Sequence, residues 1–339
     1  MTVLNDKLKA RIQEAYRKWL KSREFDPRRG QREMIAEIAR VCTGSAPRIA
    51  AIEAGTGTGK TAAYCLAAIP IAQELEKTVV IASATVALQE QIMLRDLPDL
   101  AEGAGLDFDF ALAKGRGRYV CLKRLDERLN QTGEHPAIDD GAEDAEDHDA
   151  VHREILDAFT TGRWDGEIDS WPRGIDAAAW RQVTTDHRGC TNNRCAFFQA
   201  CPFFKARNGL DGVRVIVANQ DLLLADLNLG GGYILPEPEE CIVVVDEAHH
   251  LPVKTQQHFA SRAWINGTAA WADQVNKVVA SLTQRFARPP ELEALATRIP
   301  AESEAVKTAM RGLGESLGSL DFTERQNGQL TCRFRLGGV

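Results

Sequence analysis

The stretch Glu53-Ala54-Gly55-Thr56-Gly57-Thr58-Gly59-Lys60-Thr61 constrains this chain more than any other. Its glycines permit backbone conformations that other residues resist. Ahead of it, residues 47–52 (Pro-Arg-Ile-Ala-Ala-Ile) predict a buried strand. After it, Ala62 to Leu75 predict a helix. A strand, a glycine-rich turn and a helix N-terminus together form a phosphate cradle, because backbone amides and the helix dipole converge on an anion. The pattern A-x-x-x-x-G-K-T departs from the usual P-loop only at its first position, Ala54. The whole loop, Ala54, Gly55, Thr56, Gly57, Thr58, Gly59, Lys60 and Thr61, is the expected nucleotide-phosphate site. Lys60 is expected at the β- and γ-phosphates, and Thr61 on Mg²⁺.

The complementary half lies 186 positions beyond Lys60, in Val-Val-Val-Asp-Glu-Ala-His-His (243–250). An apolar run ending in Asp-Glu at a strand end is the Walker B arrangement. Asp246 is expected to hold Mg²⁺ directly or through water, and Glu247 to position and activate the attacking water. Phosphoryl transfer needs positioning and charge neutralisation, which these residue types supply. The two motifs together predict ATP hydrolysis. His249 is expected to couple the nucleotide site to a nucleic-acid side, while a structural role suits His250 equally.

Two further motifs flank the loop. In Phe25-Asp-Pro-Arg-Arg-Gly-Gln-Arg, Gln31 resembles a Q-motif glutamine that reads adenine through its amide; the alternative is a glutamine on a solvated helix face. In Ala82-Ser-Ala-Thr-Val-Ala-Leu-Gln, Thr85 and Gln89 resemble helicase motif Ia residues that contact a nucleic-acid backbone. Capping or decorating the helix is the competing role for both.

Apolar runs at 78–83, 213–219 and 241–248 alternate with helical segments such as 85–100, which predicts a parallel sheet in an α/β domain. Uninterrupted Val/Ile runs fit strands covered on both faces. Residues 111–210 break the alternation and read as an insertion. Beyond 252 the pattern turns helical.

The insertion carries Cys121, Cys190, Cys195 and Cys201, spaced C-x68-C-x4-C-x5-C. Zinc knuckles usually show two close pairs. One distant and three close ligands suit a cubane cluster better, and zinc remains compatible with the spacing alone. Phe197, Phe198, Phe203 and Phe204 are placed to shield a cluster, and Pro202 after the last cysteine matches the C-P ending of ferredoxin ligand runs. Cys42, Cys65, Cys241 and Cys332 stand singly and read as small buried thiols.

The order of Glu-Ala-Gly-Thr-Gly-Thr-Gly-Lys-Thr, Gly-Arg-Gly-Arg-Tyr-Val-Cys, Cys-Pro-Phe-Phe, Val-Ala-Asn-Gln-Asp-Leu-Leu-Leu and Asp-Glu-Ala-His-His-Leu-Pro resembles the DinG branch of the XPD-like iron–sulfur helicases, from about residue 15 to 255. The resemblance implies an α/β fold, with a RecA-like P-loop parallel sheet, an inserted Fe–S domain and the start of a helical Arch domain. It divides the chain into a first part of the RecA-like domain (1–110), a cluster domain (111–210), the second part with the DEAH box (211–252), and an Arch-like region (253–339). It implies ATP-dependent 5′-to-3′ unwinding of DNA, including forked or R-loop structures, with single-stranded and forked DNA as partners. It also implies a [4Fe–4S] cluster on Cys121, Cys190, Cys195 and Cys201 beside the DNA path. Lys114, Arg116 and Arg118 would then meet phosphates and Tyr119 would stack on a base; alternatively the basic residues brace the cluster domain. A second RecA-like lobe with arginine fingers belongs to the family pattern. Its residues do not appear here, so the expectation is an N-terminal portion with weak or slow activity by itself. The competing functional readings are a nucleotide-sensing Fe–S DNA-binding module without motor activity and, more distantly, a P-loop metabolic kinase with a zinc insert.

Bulk properties set the outer limits. The 339 residues allow two or three domains. A net charge of −7 argues against a generally basic surface, yet residues 114–128 carry a local basic patch and 134–149 hold eight acids, read as a mobile surface segment. No run reaches membrane-span length, and the first 25 residues predict an amphipathic helix, not a signal peptide, so a cytoplasmic location is expected.

Overall fold

The computed structural model describes residues 4–44, 48–130, 145–187, 189–260, 264–285, 290–318, 320, 323–324 and 330–331. Cys332 and most of the acidic stretch lie outside these residues. The chain divides into two compact units, Met1–Phe259 and Ala260–Val339.

The first unit starts with helix α1 (Asp6–Ser22), whose N-terminus is capped by Asn5 Oδ1 accepting from Leu8 N at 2.7 Å. Leu8, Ile12, Ala15, Tyr16, Trp19 and Leu20 form its buried stripe, which is the amphipathic period expected from the sequence. Helix α2 (Arg29–Thr43) follows, then α3 (Lys60–Glu74), buried almost all round from Ala62 to Ala72. Strand β1 (Thr78–Ser83) leads to α4 (Val86–Gln91), which continues through a π-helical turn (Ile92–Asp96) into α5 (Leu97–Ala104). Strand β2 (Phe110–Leu112) closes this half.

Residues 113–214 leave the sheet and return to it. They carry α6 (Leu122–Asn130), α7 (Ala145–Thr160), α8 (Ala177–Val183) and α9 (Pro202–Asn208) around a core of their own, with Val120, Leu125, Ile155, Trp164, Trp180 and Val183 buried together. Strand β3 (Val215–Asn219), α10 (Gln220–Asn228), β4 (Cys241–Val245) and α11 (Leu251–Phe259) complete the unit.

The sheet is wholly parallel, in the order β2-β3-β1-β4. Val79, Ile81, Val215 and Val217 face α1, α2, α3 and α5, while Val80, Ala82, Ile216 and Ala218 face Leu222, Leu223 and Leu235. The alternation is the period-two pleat covered on both sides. Register pairs Ser83 with Asn219 and Ala82 with Val245, so β1, β3 and β4 end along one edge. In open α/β sheets ligands bind beyond such carboxyl ends.

Two sequence expectations change. Residues 48–52 form no strand: they pair with nothing among the described residues and Ile49 is 83% exposed. Arg48, Ala50 and Ala51 offer little apolar area, so this run gains less from burial than the Val/Ile runs do. β4 is accordingly an edge strand, with Val243 43% exposed. Conversely β2 was not foreseen, and residue 110, the expected end of the first segment, lies within it.

The second unit holds α12 (Ile265–Arg285) packed against α13 (Pro290–Gly318), with Lys307 Nζ donating to Asp273 Oδ1 at 2.6 Å between them. A short antiparallel pair, β5 (Thr323–Glu324) and β6 (Leu330–Thr331), follows. Among the described residues no helix is long and apolar enough to cross a membrane.

Candidate nucleotide and cysteine sites

The glycine-rich loop turns into α3 at Gly59, which lies in the left-handed region with φ 75°, as Gly57 does with φ 77°. A Cβ at Gly59 would fall 2.2 Å from Gln31 Nε2. The left-handed conformation favours glycine there, and an added Cβ would also displace the end of the Gln31 side chain. Thr58 Oγ1 donates to Gly55 O at 2.8 Å and Arg28 donates to the Gly57 carbonyl, fixing the loop from within and from α2's N-cap.

Gln31 is 4% exposed, so it does not decorate a solvated face. Its Oε1 accepts from the Tyr16 hydroxyl at 3.2 Å, and its Nε2 donates to Gly59 O at 3.3 Å. A cavity beside the loop, about 190 Å³ and open to solvent, is lined by Phe25, Arg28, Gln31, Gly59, Thr61 and Asp96, among others.

Across the loop stand the acids. Lys60 Nζ lies 2.9 Å from Glu247 Oε1, and His249 Nδ1 lies 3.3 Å from Glu247 Oε2. Glu247 follows β4 with a left-handed backbone, φ 51°. The hydrogen bond from Lys60 holds its carboxyl below the usual range, whereas burial and the neighbouring Glu247 push the Asp246 carboxyl up. Asp246 N donates to Ala82 O at 2.9 Å, anchoring the acidic turn on β1. The structure thus brings Lys60 to Glu247, and with it to His249, across 187 positions of the chain.

Sequence reasoning missed two neighbours. Asp96, at the end of the π-helical turn, accepts from Gln91 at 3.2 Å and sits beside the Thr61 hydroxyl. Gln220, fully buried, donates to the carbonyls of both Asp246 and Glu247. The signals available were Gln220's place directly after an apolar strand and inside the motif Val-Ala-Asn-Gln-Asp-Leu-Leu-Leu.

The motif Ia residues separate. Thr85 is exposed and caps α4 by accepting from Leu88 N at 3.3 Å, whereas Gln89 is buried.

In the insert, Cys121, Cys190, Cys195 and Cys201 line one cavity with Arg116, Tyr119, Phe197, Phe198, Phe203 and Phe204. Cys121 is placed by its backbone N donating to Val183 O at 2.7 Å, and Cys201 by its position at the N-cap of α9. Cys190 Sγ accepts from Asn192 N at 3.4 Å. Burial raises the Cys121 and Cys201 thiols, and the nearby thiols raise them further. Among the described residues no three Cys, His, Asp or Glu side chains close on a single-ion site.

The basic residues before Cys121 are engaged. Lys114 pairs with Glu167 and with Asp169, the latter at 2.9 Å, and Arg118 pairs with Asp169. The Arg116 guanidinium lies 4.4 Å from the Phe203 ring centre and 5.4 Å from that of Phe204. Tyr119, expected as a base-stacking residue, is 7% exposed and sets its ring edge-on to Phe203 at 5.8 Å.

Comparison with known proteins agrees with this arrangement. The family pattern of the DEAD/DEAH box helicases matches residues 28–127. The chain is 39% identical over 287 residues to the ATP-dependent DNA helicase DinG of Photobacterium profundum, covering 83% of this chain and 41% of that protein. It is 37% identical over 308 residues to the protein of that name from Salmonella typhimurium, and 35% over 305 residues to that from Escherichia coli K12; each match covers 87% of this chain and 42% of the relative. The chain therefore spans about two fifths of the length of these curated relatives. With a parallel α/β sheet of RecA-like kind and a P-loop facing an Asp-Glu-Ala-His turn, the chain carries a DEAD/DEAH box helicase segment and is similar over most of its length to DNA helicases of DinG type.

Proposed function

We propose that this chain binds and hydrolyses ATP at the P-loop–DEAH edge and couples that turnover to unwinding DNA. The observation that carries the reading is the Lys60–Glu247 pair, 2.9 Å apart across 187 positions of sequence, at the carboxyl edge of the sheet. Unpaired from Lys60, Glu247 is free to accept the proton of an attacking water. Lys60 and the loop amides take the phosphate oxygens. Gln31 and the adjoining cavity take the base. His249, in reach of Glu247, links the site to the nucleic-acid side.

The residues fit a magnesium ion. Asp246 is a half-buried carboxyl destabilised by Glu247, which a cation relieves. Thr61 and Asp246 would hold the ion, which supplies neutralisation of phosphate charge.

Four thiols line one cavity walled by phenylalanines, a donor set that suits a thiolate-bound cluster. Burial, and to a lesser degree the neighbouring thiols, raises Cys121 and Cys201, a penalty that thiolate–metal bonding removes. Cys121, Cys190, Cys195 and Cys201 would hold a [4Fe–4S] cluster. Lys114, Arg116 and Arg118 brace its wall, and the exposed Thr85 end of α4 is left for the DNA backbone. The substrate is single-stranded or forked DNA, R-loops included, tracked 5′ to 3′. Full-rate hydrolysis is proposed to require an arginine finger from a second lobe.

The test is nucleotide binding followed by fluorescence, with phosphate release measured in parallel. Lys60→Ala is expected to lose binding, and Glu247→Gln to bind without hydrolysing. A Lys60→Ala chain that binds and hydrolyses like the wild type overturns the reading.

A further inference from the structure

Gln220 opens α10, one residue past the strand that brings the chain back from the cysteine-bearing insert. It is 0% exposed. Its Nε2 donates to Asp246 O at 2.8 Å and to Glu247 O at 3.3 Å. Its Oε1 is buried and has no hydrogen-bond partner among the described residues. A buried amide with an orphaned acceptor costs stability relative to an apolar side chain of the same size. Core packing therefore does not account for a glutamine here.

The geometry it contacts does. Register places Asn219 beside Ser83, and Val245 beside Ala82, so Gln220 reaches across the end of β1 to the acidic turn. That turn holds Glu247 at φ 51°, a conformation a non-glycine residue keeps only when its surroundings enforce it. Asp246 N is fixed on Ala82 O, so one side of the turn is pinned by β1 and the carbonyl side by Gln220.

We propose that Gln220 is a positioning residue for hydrolysis: its amide clamps the Asp246 and Glu247 peptide planes and so aims the Glu247 carboxylate. It touches neither phosphate nor water, and acts through Glu247. The inference rests on the reading of the P-loop and DEAH turn as a hydrolytic site. Misplacement of a catalytic group by about 1 Å can cost on the order of 100-fold in rate, whereas the phosphate cradle is built by other residues.

The experiment compares Gln220→Met, Gln220→His and Asn219→Ala in the full chain by single-turnover ATP hydrolysis, fluorescent-nucleotide affinity and thermal melting. Asn219 caps α10 by accepting from Leu222 N at 2.6 Å, so its loss tests helix stability alone. Gln220→Met is expected to slow hydrolysis about 10- to 100-fold, with affinity unchanged within about twofold. Gln220→His keeps a ring N–H donor and is expected to retain more of the rate than Gln220→Met. Asn219→Ala is expected to lower the melting temperature and leave the rate alone. Wild-type hydrolysis in Gln220→Met overturns the proposal, as does an Asn219→Ala chain that loses rate to the same extent. A wild-type chain that binds ATP and never turns it over sinks the underlying reading, and this inference with it.

Discussion

Glu247 receives Lys60 on one carboxylate oxygen at 2.9 Å and faces His249 on the other at 3.3 Å. The residue assigned to the water and the residue assigned to the phosphates thus pair with each other. Binding a nucleotide must exchange that ion pair for Lys60–phosphate contacts. Glu247→Gln should therefore weaken the hold on Lys60 and leave nucleotide affinity equal to or above the wild type, while phosphate release falls at least about 100-fold. Titration of a fluorescent nucleotide against both chains checks this, and a loss of affinity in Glu247→Gln contradicts it.

Gln31 ties α1 to the loop through Tyr16 and Gly59. Removing one buried and one part-buried hydrogen bond should cost about 1–3 kcal/mol. Gln31→Ala is expected to lower urea-unfolding stability by that amount and to weaken nucleotide binding as well. Stability loss with unchanged affinity would assign Gln31 to structure alone.

Gly59→Ala should be the harsher change, because its added Cβ meets Gln31 Nε2 at 2.2 Å in a left-handed backbone. Nucleotide binding should be lost, and the Gly59→Ala, Gln31→Ala double variant should recover stability relative to Gly59→Ala. Strict additivity of the two effects would count against this contact.

The cysteine cavity makes a compositional prediction. Anaerobically purified protein should carry about four irons and about four sulfides per chain, as a [4Fe–4S] cluster does. Cys195→Ser should lose most of that iron and keep nucleotide binding at the sheet edge. One zinc per chain without sulfide contradicts the assignment.

His152 supplies a pH prediction. It is fully buried, its Nε2 lies 3.0 Å from Ala179 O, and its Nδ1 has no partner among the described residues. Burial holds its pKa below the ordinary histidine value. As pH falls, the unfolded chain therefore takes up this proton first, and stability drops below about pH 6.5 by up to about 1.4 kcal/mol per pH unit. Urea unfolding between pH 7.5 and 5.5 should show that slope, and His152→Gln, which keeps a donor for Ala179, should flatten it. Equal slopes in both chains would remove His152 from the account.

What the sequence revealed depends on how local each cause is. The run 78–83 is a strand with those bounds, because five of its six residues bury on a two-sided sheet. Residues 48–52 looked similar, but their arginine and alanines bury too little to hold a place. β2 is three residues long, too short for any period to show. The P-loop and DEAH letters were legible because each local pattern has a chemistry of its own. Their pairing through Lys60 and Glu247 is consistent with it. Asp96 and Gln220 were not legible, since Asp96 is turned toward Thr61 by a π-helical turn and the partners of Gln220 lie at a strand end 26 positions away. Likewise nothing near Arg118 announces Asp169, or near Tyr119 announces Phe203.

The central claim is that ATP turnover at the Lys60–Glu247 edge is coupled to DNA. The most direct measurement is phosphate release by the cluster-loaded chain under single-turnover conditions, with and without single-stranded DNA, in wild type and Glu247→Gln. The account predicts slow release that DNA accelerates in the wild type and that Glu247→Gln abolishes. Release that is indifferent to DNA, or that survives Glu247→Gln, contradicts it.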